Sequence, residues 1–243
     1  MKISVCITTY NGEKYVKDQI DSIIEQLTTE DEIIVVDDFS TDNTLNIIES
    51  INDLRIKIFN NGQNKGHVYS FSRAISLANN EIIFMSDQDD IWIKGRVKLM
   101  VNMLLESGAS VISSNSLFID AVGNRIFYSV DGIKKNNSNK YFRNILEIFM
   151  GKTNYFGCAM ALKKDICKIV LPIPSFVESH DLWIALASNL FRSNCHIDEN
   201  TLYRRVHNSN ASIINRGLLQ RIWSRIIFLR SIMVLLFRGC RKS

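Results

Sequence analysis

The chain has 243 residues, of which 46% are hydrophobic and 22% are charged, and its formal net charge is +4. This length suits one sizeable domain, and the composition is that of a globular protein with a core, which excludes a disordered or fibrous chain. The five cysteines are odd in number and include no Cys-x-x-Cys pair, which argues against a disulfide framework or a zinc site and favours a reducing compartment.

Short β-branched runs alternate with helical patterns along the first 90 residues. The runs have the length of buried strands, and the segments between them carry apolar residues at helical spacing. The predicted strands cover 3–7, 33–36, 56–59 and 82–85. The predicted helices cover 15–27, the segment capped by 40–42 and the segment through 71–78. This alternation predicts an α/β fold with a mostly parallel central sheet flanked by helices.

The second half of the chain is less regular. Its predicted strands are 111–114, 117–119 and 156–162, and its predicted helices are 182–190 and a long tail beyond Arg216. The Asn-rich segment 131–140 is predicted to be a loop. We therefore divide the chain into one domain over 1–215, with halves 1–110 and 111–215, and a basic amphipathic helix over 216–243.

Polar residues follow three of the predicted strands directly. They are the segments 8–11, 37–38 and 87–90. In a parallel α/β sheet, ligands bind at the carboxyl ends of the strands, so these segments are expected to meet at one edge.

Three carboxylates, Asp87, Asp89 and Asp90, follow the strand 82–85 within four residues, and we call them the acidic cluster. Packed together without a cation, at least one should be driven to protonate. Hard oxygen ligands suit Mg²⁺ or Mn²⁺, which share their coordination sphere with phosphate oxygens and thereby indicate a diphosphate substrate. The alternative is that the acids cap a helix beginning near Lys94, although one acid would suffice for that.

Asp38 is a candidate for nucleobase recognition. Its carboxylate can accept the N3 proton of uracil or thymine, and the ring of Tyr10, beside Thr8 at the neighbouring strand end, can stack on the base. The alternative is that Asp37 and Asp38 only form an Asx-turn.

Four motifs together resemble the family 2 glycosyltransferases, whose fold is called GT-A. They occupy 4–11, 35–42, 64–66 and 86–92, and their order and spacing match over residues 1–110. The run from Ser86 to Trp92 is similar to the rhamnosyl-, galactosyl- and glucosyltransferase branches of surface polysaccharide assembly. The resemblance makes 1–110 the nucleotide-sugar-binding half and 111–215 the acceptor half.

The resemblance also implies roles for individual donor-binding residues. Thr8, Tyr10 and Asp38 would hold the nucleobase of a UDP- or dTDP-sugar, with Glu13 nearby. Arg73 would approach the diphosphate or the base.

At the reaction centre, the resemblance makes Asp87 a ligand of the ribose or the sugar and Asp89 the main metal ligand. Asp181 matches the general base of these inverting enzymes, with His180 where the family usually has Glu; Asp181 could also cap its helix. His207 lies where many relatives carry a histidine beside the diphosphate or metal, and an ordinary surface role is the alternative.

Three other classes compete with this interpretation. A sugar-phosphate nucleotidyltransferase should show a Gly-rich loop after the first strand, where this chain has only Gly12. An NAD-dependent oxidoreductase should show G-x-G-x-x-G at that place. A non-catalytic, membrane-associated subunit with the same fold would not need Asp89 and Asp181.

The C-terminal segment predicts contact with a membrane. From Arg204 to Lys242 it contains no acidic residue, and a nucleic-acid partner is not expected. Its apolar stripe is Leu219, Ile222, Trp223, Ile226, Met233 and Phe237, with Arg230 inside the stripe. The flanking basic residues are Arg221, Arg225, Arg238, Arg241 and Lys242. Packing of the stripe on the catalytic domain or on a second subunit is the alternative.

These features predict a cytoplasmic protein without a signal peptide, peripheral on the cytosolic face of the inner membrane. By analogy with enzymes of O-antigen or capsule assembly, its acceptor is expected to be a saccharide linked to polyprenyl diphosphate.

Overall fold

The computed structural model describes residues 1–152, 155–207 and 217–241, without the side chains of 218 and 219. In the first half, strands and helices alternate as predicted. The elements are β1 (Ile3–Thr9), α1 (Val16–Ile24), β2 (Glu32–Asp37), α2 (Thr44–Ser50), β3 (Ile56–Asn60), α3 (His67–Leu77) and β4 (Ile82–Ser86). Strands β3, β2, β1 and β4 lie side by side in that order and pair in parallel, which confirms the predicted α/β arrangement for this half.

The second half extends the same sheet. Its elements are β5 (Ile91–Trp92), α4 (Arg96–Ser107), β6 (Val111–Ile119), β7 (Arg125–Ile126), α5 (Tyr141–Met150), β8 (Met160–Lys163), α6 (Lys164–Val170), α7 (His180–Leu190), β9 (Asn194–Arg205) and α8 (Leu218–Cys240). The full strand order is β3-β2-β1-β4-β8-β6-β9-β5, with β7 on β6. Strand β8 is antiparallel to both neighbours, so this half of the sheet is mixed.

Helices cover both faces of the sheet and bury a core on each. One core receives Val16 and Ile20 from α1, Ile48 from α2 and Met100 from α4. The other core receives side chains from α3, α5, α6 and α7, and Leu235 from α8. Burial on both faces explains why the strands read as continuous apolar runs without alternation.

Several boundaries differ from the sequence expectation. The predicted strands 111–114 and 117–119 form one strand, β6, whose pairing with β9 has register shifts between Ser113 and Ser116. The segment predicted as the strand 156–162 begins with a short 3₁₀ turn at Gly157–Ala159 and becomes extended only at Met160. Helices α5 and α6 were not predicted. The divisions at residues 110 and 215 stay predictions, and position 215 lies outside the described residues.

Helix α8 packs on the domain through one face. Leu235 is fully buried, and the guanidinium of Arg238 donates to three backbone carbonyl oxygens within 169–172 at 2.8 to 3.2 Å. The Cζ atom of Arg230 lies 4.0 Å from the centre of the Phe176 ring, so its guanidinium contacts the domain although the residue falls within the apolar stripe. The exposed large apolar residues of α8 are Ile222, Trp223, Ile226, Leu229, Met233, Leu236 and Phe237. The stripe therefore remains open while another face of the helix packs on the domain.

Candidate active site

Three parallel strands end at the same edge of the sheet. Register pairs Thr9 at the end of β1 with Asp37 at the end of β2, and Ile7 with Ser86 at the end of β4. Tyr10, Asp38 and Asp87 therefore follow three adjacent strands at one edge. The structure confirms the predicted convergence of the strand ends.

The two aspartates at the end of β2, Asp37 and Asp38, have different hydrogen-bond partners. Asp37 is fully buried and accepts hydrogen bonds from Thr9 Oγ1 at 2.7 Å and from Ser40 N at 2.8 Å, which is the Asx-turn alternative. Asp38 is also buried, but it accepts from the segment 61–66 across the edge: Asn61 Nδ2 at 2.7 Å, Lys65 N at 2.8 Å and Gly66 N at 2.7 Å. Asp38 thus accepts three hydrogen bonds, of the about four that a carboxylate can accept.

The predicted donor-binding residues Thr8, Tyr10 and Arg73 differ in exposure and in hydrogen-bond partners. Thr8 is partly exposed at the end of β1, and Tyr10 is 47% exposed, with its ring open to solvent. Arg73 donates to Asn60 O at 2.8 Å and to Asn61 Oδ1 at 2.7 Å, and Asn61 in turn bonds Asp38. In this structure Arg73 therefore contacts Asp38 indirectly, through Asn61.

Glu13 is directed to the start of α2. Its Oε2 accepts from Asn43 N at 3.0 Å, while Glu13 N donates to Asp42 Oδ2 at 3.1 Å. These reciprocal bonds tie the segment after β1 to the segment after β2. Glu13 thus lies near the predicted nucleobase pocket, with its carboxylate engaged by backbone.

The acidic cluster is crowded and partly desolvated. Burial and the charge of Asp89 raise the pKa of the Asp87 carboxyl. Burial, Asp89 and Asp87 together raise the pKa of Asp90 well above its usual value. One carboxylate oxygen each of Asp87 and Asp90 and the Sγ atom of Cys158 lie within 4.8 Å of one another. The mutual repulsion predicted from the sequence is therefore present.

Asp89 and His207, the two predicted metal ligands, are in contact. Asp89 Oδ2 and His207 Nε2 are 2.8 Å apart, and both side chains are mostly buried. Arg205 fixes the loop of the acidic cluster through two hydrogen bonds. Its N donates to Asp90 Oδ1 at 3.0 Å, and its Nε donates to Asp89 O at 3.0 Å.

The residues present fit a divalent cation. Asp90 Oδ2 is buried and has no nitrogen or oxygen donor among the residues that the structure describes, while the thiol of Cys158 interacts with this carboxyl group and partly offsets the rise in its pKa. A buried carboxylate oxygen without a donor is costly unless a cation or a water satisfies it. The acids do not cap the following helix, because α4 begins at Arg96 behind Gly95. Asp87 and Asp90 converge with Cys158 and offer the oxygen ligands that Mg²⁺ or Mn²⁺ accepts, whereas Asp89 and His207 are paired with each other beside this group.

Asp181 lies in the first turn of α7. The N-cap of this helix is Ser179, whose Oγ accepts from Leu182 N at 3.3 Å, and Asp181 shares that amide, so the capping alternative for Asp181 also holds in part. Asp181 Oδ1 accepts from Leu182 N at 2.8 Å and from the Ser179 hydroxyl. Its charge also acts on Asp87, where it adds to the larger effects of burial and Asp89 in raising the pKa. Asp181 is therefore within electrostatic reach of the cluster.

His180 is buried where the resembled family usually has Glu. Its ring stacks on Phe71 with centroids 4.0 Å apart, and burial lowers its pKa, which favours the neutral imidazole. Neither ring nitrogen has a hydrogen-bond partner within the described part of the chain. Gly157 makes room for it, because a Cβ there would lie 2.4 Å from His180 Nε2.

Two residues of the site have partners that the sequence did not indicate. The run from Phe156 to Met160 resembles the family's small-residue strand that lines the acceptor side, but the contact of Cys158 with Asp87 and Asp90 depends on the fold. Gln88 bonds the backbone of Tyr10 through its side-chain amide. Its place between two acids was visible, but its partner was not.

A small cavity of about 140 Å³ lies beside the site, between β6, β9 and the segment 130–132. Phe118 and Phe156 form part of its wall, and Asn115 and Asn200 contribute polar groups. The guanidinium of Arg204 lies 4.0 Å above the ring of Phe156. Burial alone would lower the pKa of Arg204, but Cys158 and the cluster carboxylates raise it. Arg204 thus connects the cavity wall with the acidic cluster.

No helix in the described ranges combines the length and the apolar character needed to cross a bilayer.

Comparison with solved structures identifies the fold. The S. aureus TarS 1-349 complex with UDP-GlcNAc aligns with a TM-score of 0.71 over 97% of this chain and 70% of that chain, at 21% identity. The mannosyltransferase PcManGT from Pyrobaculum calidifontis, in complex with GDP-Man and Mn²⁺, aligns with a TM-score of 0.62 over 98% of this chain and 73% of that chain, at 16% identity. The predicted GT-A fold is confirmed.

Comparison with curated sequences gives the family. The dTDP-rhamnosyl transferase RfbG of Shigella flexneri is 38% identical over 116 residues, which are 45% of this chain and 40% of that protein. The UDP-Glc:alpha-D-GlcNAc-diphosphoundecaprenol beta-1,3-glucosyltransferase WfgD of Escherichia coli is 30% identical over 169 residues, which are 67% of this chain and 66% of that protein. The chain thus spans less than two thirds of either relative. The family model "Glycosyl transferase family 2" matches residues 4–170. The chain belongs to this family of glycosyltransferases.

Proposed function

We propose that the protein transfers a sugar from a UDP- or dTDP-sugar to a hydroxyl group of a saccharide acceptor, with inversion at the anomeric carbon. One observation carries this proposal: Asp38, Tyr10 and the acidic cluster follow three parallel strands that end at one edge of the sheet. A base pocket beside an acidic cluster suits a pyrimidine nucleoside diphosphate. The donors named for the two relatives, dTDP-rhamnose and UDP-Glc, contain the same two bases.

Asp89 and His207, with Asp87 and Asp90, would hold Mg²⁺ or Mn²⁺. A bound cation of this kind supplies stabilisation for the negative charge of the leaving diphosphate. The Mn²⁺ in the PcManGT complex is consistent with this choice, although that likeness concerns the fold. Asp87 would also approach the ribose or the transferred sugar.

Asp181 would act as the general base. It removes the proton of the acceptor hydroxyl as that oxygen bonds the anomeric carbon, while the bond from this carbon to the diphosphate oxygen breaks on the opposite face. The burial of His180 keeps a neutral ring beside this carboxylate, where the family usually has a second acid.

The acceptor would be a saccharide linked to polyprenyl diphosphate, like the GlcNAc-diphosphoundecaprenol for which WfgD is named. The cavity lined by Phe118 and Phe156 has room for no more than a small group such as one sugar ring, and its mixed apolar and polar walls suit a carbohydrate. Such an acceptor would be presented at the cytosolic face of the inner membrane.

The exposed face of α8 would bring the enzyme to that membrane. Its seven exposed apolar side chains line one side of the helix, and the exposed Arg221 and Arg241 lie near its ends. A basic helix with an apolar face binds at the interface of an anionic bilayer. Arg225 and Arg238 contribute less than the sequence predicted, because they stack on Phe149 and on Trp183 of the domain. Leu219 and Lys242 lie outside the described side chains.

Asp38→Ala tests the base pocket. In the unmutated protein, calorimetry should show tighter binding of UDP or dTDP than of GDP and ADP, because one acceptor site of Asp38 remains for N3–H. The variant should lose this preference, about tenfold for one charged hydrogen bond. Ser70→Ala is the matched control, since it removes a different bond of Asn61, at 2.8 Å, and keeps the carboxylate. Equal affinity of the unmutated protein for GDP and UDP would refute the base assignment.

Co-sedimentation with vesicles tests the membrane face. A triple variant, Ile226→Ser with Met233→Ser and Phe237→Ser, changes only exposed positions and should pellet with anionic vesicles several-fold less than the unmutated protein. The matched control replaces Leu54, Val122 and Phe127 by Ser, three side chains that are more exposed but lie away from α8. If the unmutated protein stays in the supernatant with anionic vesicles at low salt, α8 is not a membrane anchor.

A further inference from the structure

Gln88 follows strand β4, but its side chain hydrogen-bonds the backbone that follows strand β1. Its Oε1 accepts from Tyr10 N at 2.9 Å, and its Nε2 donates to Tyr10 O at 3.1 Å. One amide therefore satisfies both backbone groups of the residue that follows β1. The ring of Tyr10 is 47% exposed, so its position depends on how firmly this backbone is held.

Gly12 leaves the space that this amide occupies. A Cβ at Gly12 would lie 2.3 Å from Gln88 Oε1 and 2.6 Å from its Cδ, closer than any side chain tolerates. The torsion φ of Gly12 is outside the left-handed region, so glycine is needed here for space and not for backbone conformation. The bond from Gly12 N to Thr44 Oγ1, at 2.8 Å, holds this backbone in place against the amide.

We propose that Gln88 is a positioning residue for the nucleobase: it fixes Tyr10 for stacking and joins the base pocket to the loop of the acidic cluster. The inference rests on the proposed nucleotide-sugar function and deepens it. It assigns the residue between Asp87 and Asp89 to base recognition, whereas its place in the chain would suggest the metal. A loosened Tyr10 must be ordered when the base binds, and that ordering weakens binding.

The first test separates the base from the metal. Gln88→Ala should weaken binding of uridine and thymidine, measured by calorimetry, about tenfold, as expected for the loss of two neutral hydrogen bonds. These nucleosides carry no phosphate, so their binding reports the base pocket alone. Binding of Mn²⁺ without nucleotide, measured by electron paramagnetic resonance, should stay within about twofold. Gln26→Ala is the control, because that amide bonds only Ser22 O of its own turn, at 3.1 Å.

The second test uses the space at Gly12. Gly12→Ala should weaken nucleoside binding as Gln88→Ala does, because its Cβ displaces the amide. In the double variant of Gly12→Ala and Gln88→Ala, the Gln88 amide that the new Cβ would displace is absent. The second substitution should therefore cause no further loss of nucleoside affinity. Full additivity of the two losses would overturn the proposal, as would unchanged uridine binding in Gln88→Ala with altered Mn²⁺ binding.

Hydrogen exchange of the Tyr10 amide gives a readout independent of nucleotide. Gln88 Oε1 is its acceptor, so exchange should become about tenfold faster in Gln88→Ala. If the unmutated protein binds neither UDP nor dTDP, the proposed function and this inference are both wrong, even if exchange of the Tyr10 amide is faster in Gln88→Ala. If it binds UDP, and Gln88→Ala binds UDP and uridine equally well, only this inference falls.

Discussion

Replacement of Asp89 by Asn should abolish turnover while leaving the fold intact. Asn has the same shape and can keep a hydrogen bond to His207, which now lies 2.8 Å from Asp89 Oδ2. The substitution also relieves the repulsion that raises the pKa of Asp87 and Asp90, so stability should not fall. Charge stabilisation by a metal amounts to several kcal/mol, so we expect a loss in kcat/KM on the order of 10³-fold or more.

Donor turnover and metal-dependent donor binding are the quantities to measure for Asp89→Asn, with the thermal midpoint as a check on folding. Asp18→Asn, which removes an exposed carboxylate from α1, is the control for lost charge and should behave as the unmutated protein. Undiminished transfer by Asp89→Asn, or full activity of the unmutated protein in excess chelator, would remove Asp89 from the metal site.

Asp181→Asn should reduce kcat far more than it changes the KM for the donor. A general base acts only in the chemical step, so its removal should lower kcat by about 10²–10⁴-fold. The helix should survive, because Asn keeps an oxygen for the bond from Leu182 N and because Ser179 Oγ remains a second acceptor for that amide.

Ser179→Ala is the matched variant for this second prediction. It removes one of the two acceptors of Leu182 N and the hydroxyl that donates to Asp181, which should lower the free energy of unfolding by about 0.5–2 kcal/mol, but it keeps the carboxylate and should retain far more of kcat than Asp181→Asn. If the two variants lose kcat equally, or if Asp181→Asn weakens donor binding as much as it slows turnover, Asp181 is a structural residue or a donor ligand.

The parts of the fold that could be predicted are those in which local pattern and tertiary environment agree. Strands β1, β2 and β4 are buried on both faces, so they appear in the sequence as short β-branched runs with polar ends, and the convergence of those ends follows from parallel pairing. The acidic cluster and Asp38 could be placed at one edge for the same reason.

The remaining elements depend on long-range contacts. Strand β9 carries Asp198 and Glu199 in its middle and owes its length to pairing with β6, whose register shifts interrupt any alternation of apolar residues. Helix α6 has only seven residues, too few for a helical period to stand out. The contacts of Cys158 with the acidic cluster and of Gln88 with Tyr10 are tertiary, and no spacing in the chain indicates them.

The tail shows a similar division. Its helical period and exposed stripe followed from the sequence, but the face that packs on the domain did not. Arg238 reads as a basic flank of an amphipathic helix, yet it bonds backbone carbonyl oxygens of the segment 169–172. A long charged side chain can cover apolar surface and bond buried acceptors at its tip, so charge alone does not identify the solvent-facing side.

Metal-dependent donor hydrolysis tests the central claim most directly. The purified protein would be incubated with UDP-glucose, dTDP-rhamnose and GDP-mannose, each with Mn²⁺, with Mg²⁺ and with excess chelator, and the release of nucleoside diphosphate would be measured. We predict release from a UDP- or dTDP-sugar that requires the divalent cation, with little release from GDP-mannose. Release that persists undiminished in chelator, or a clear preference for GDP-mannose, would contradict the account.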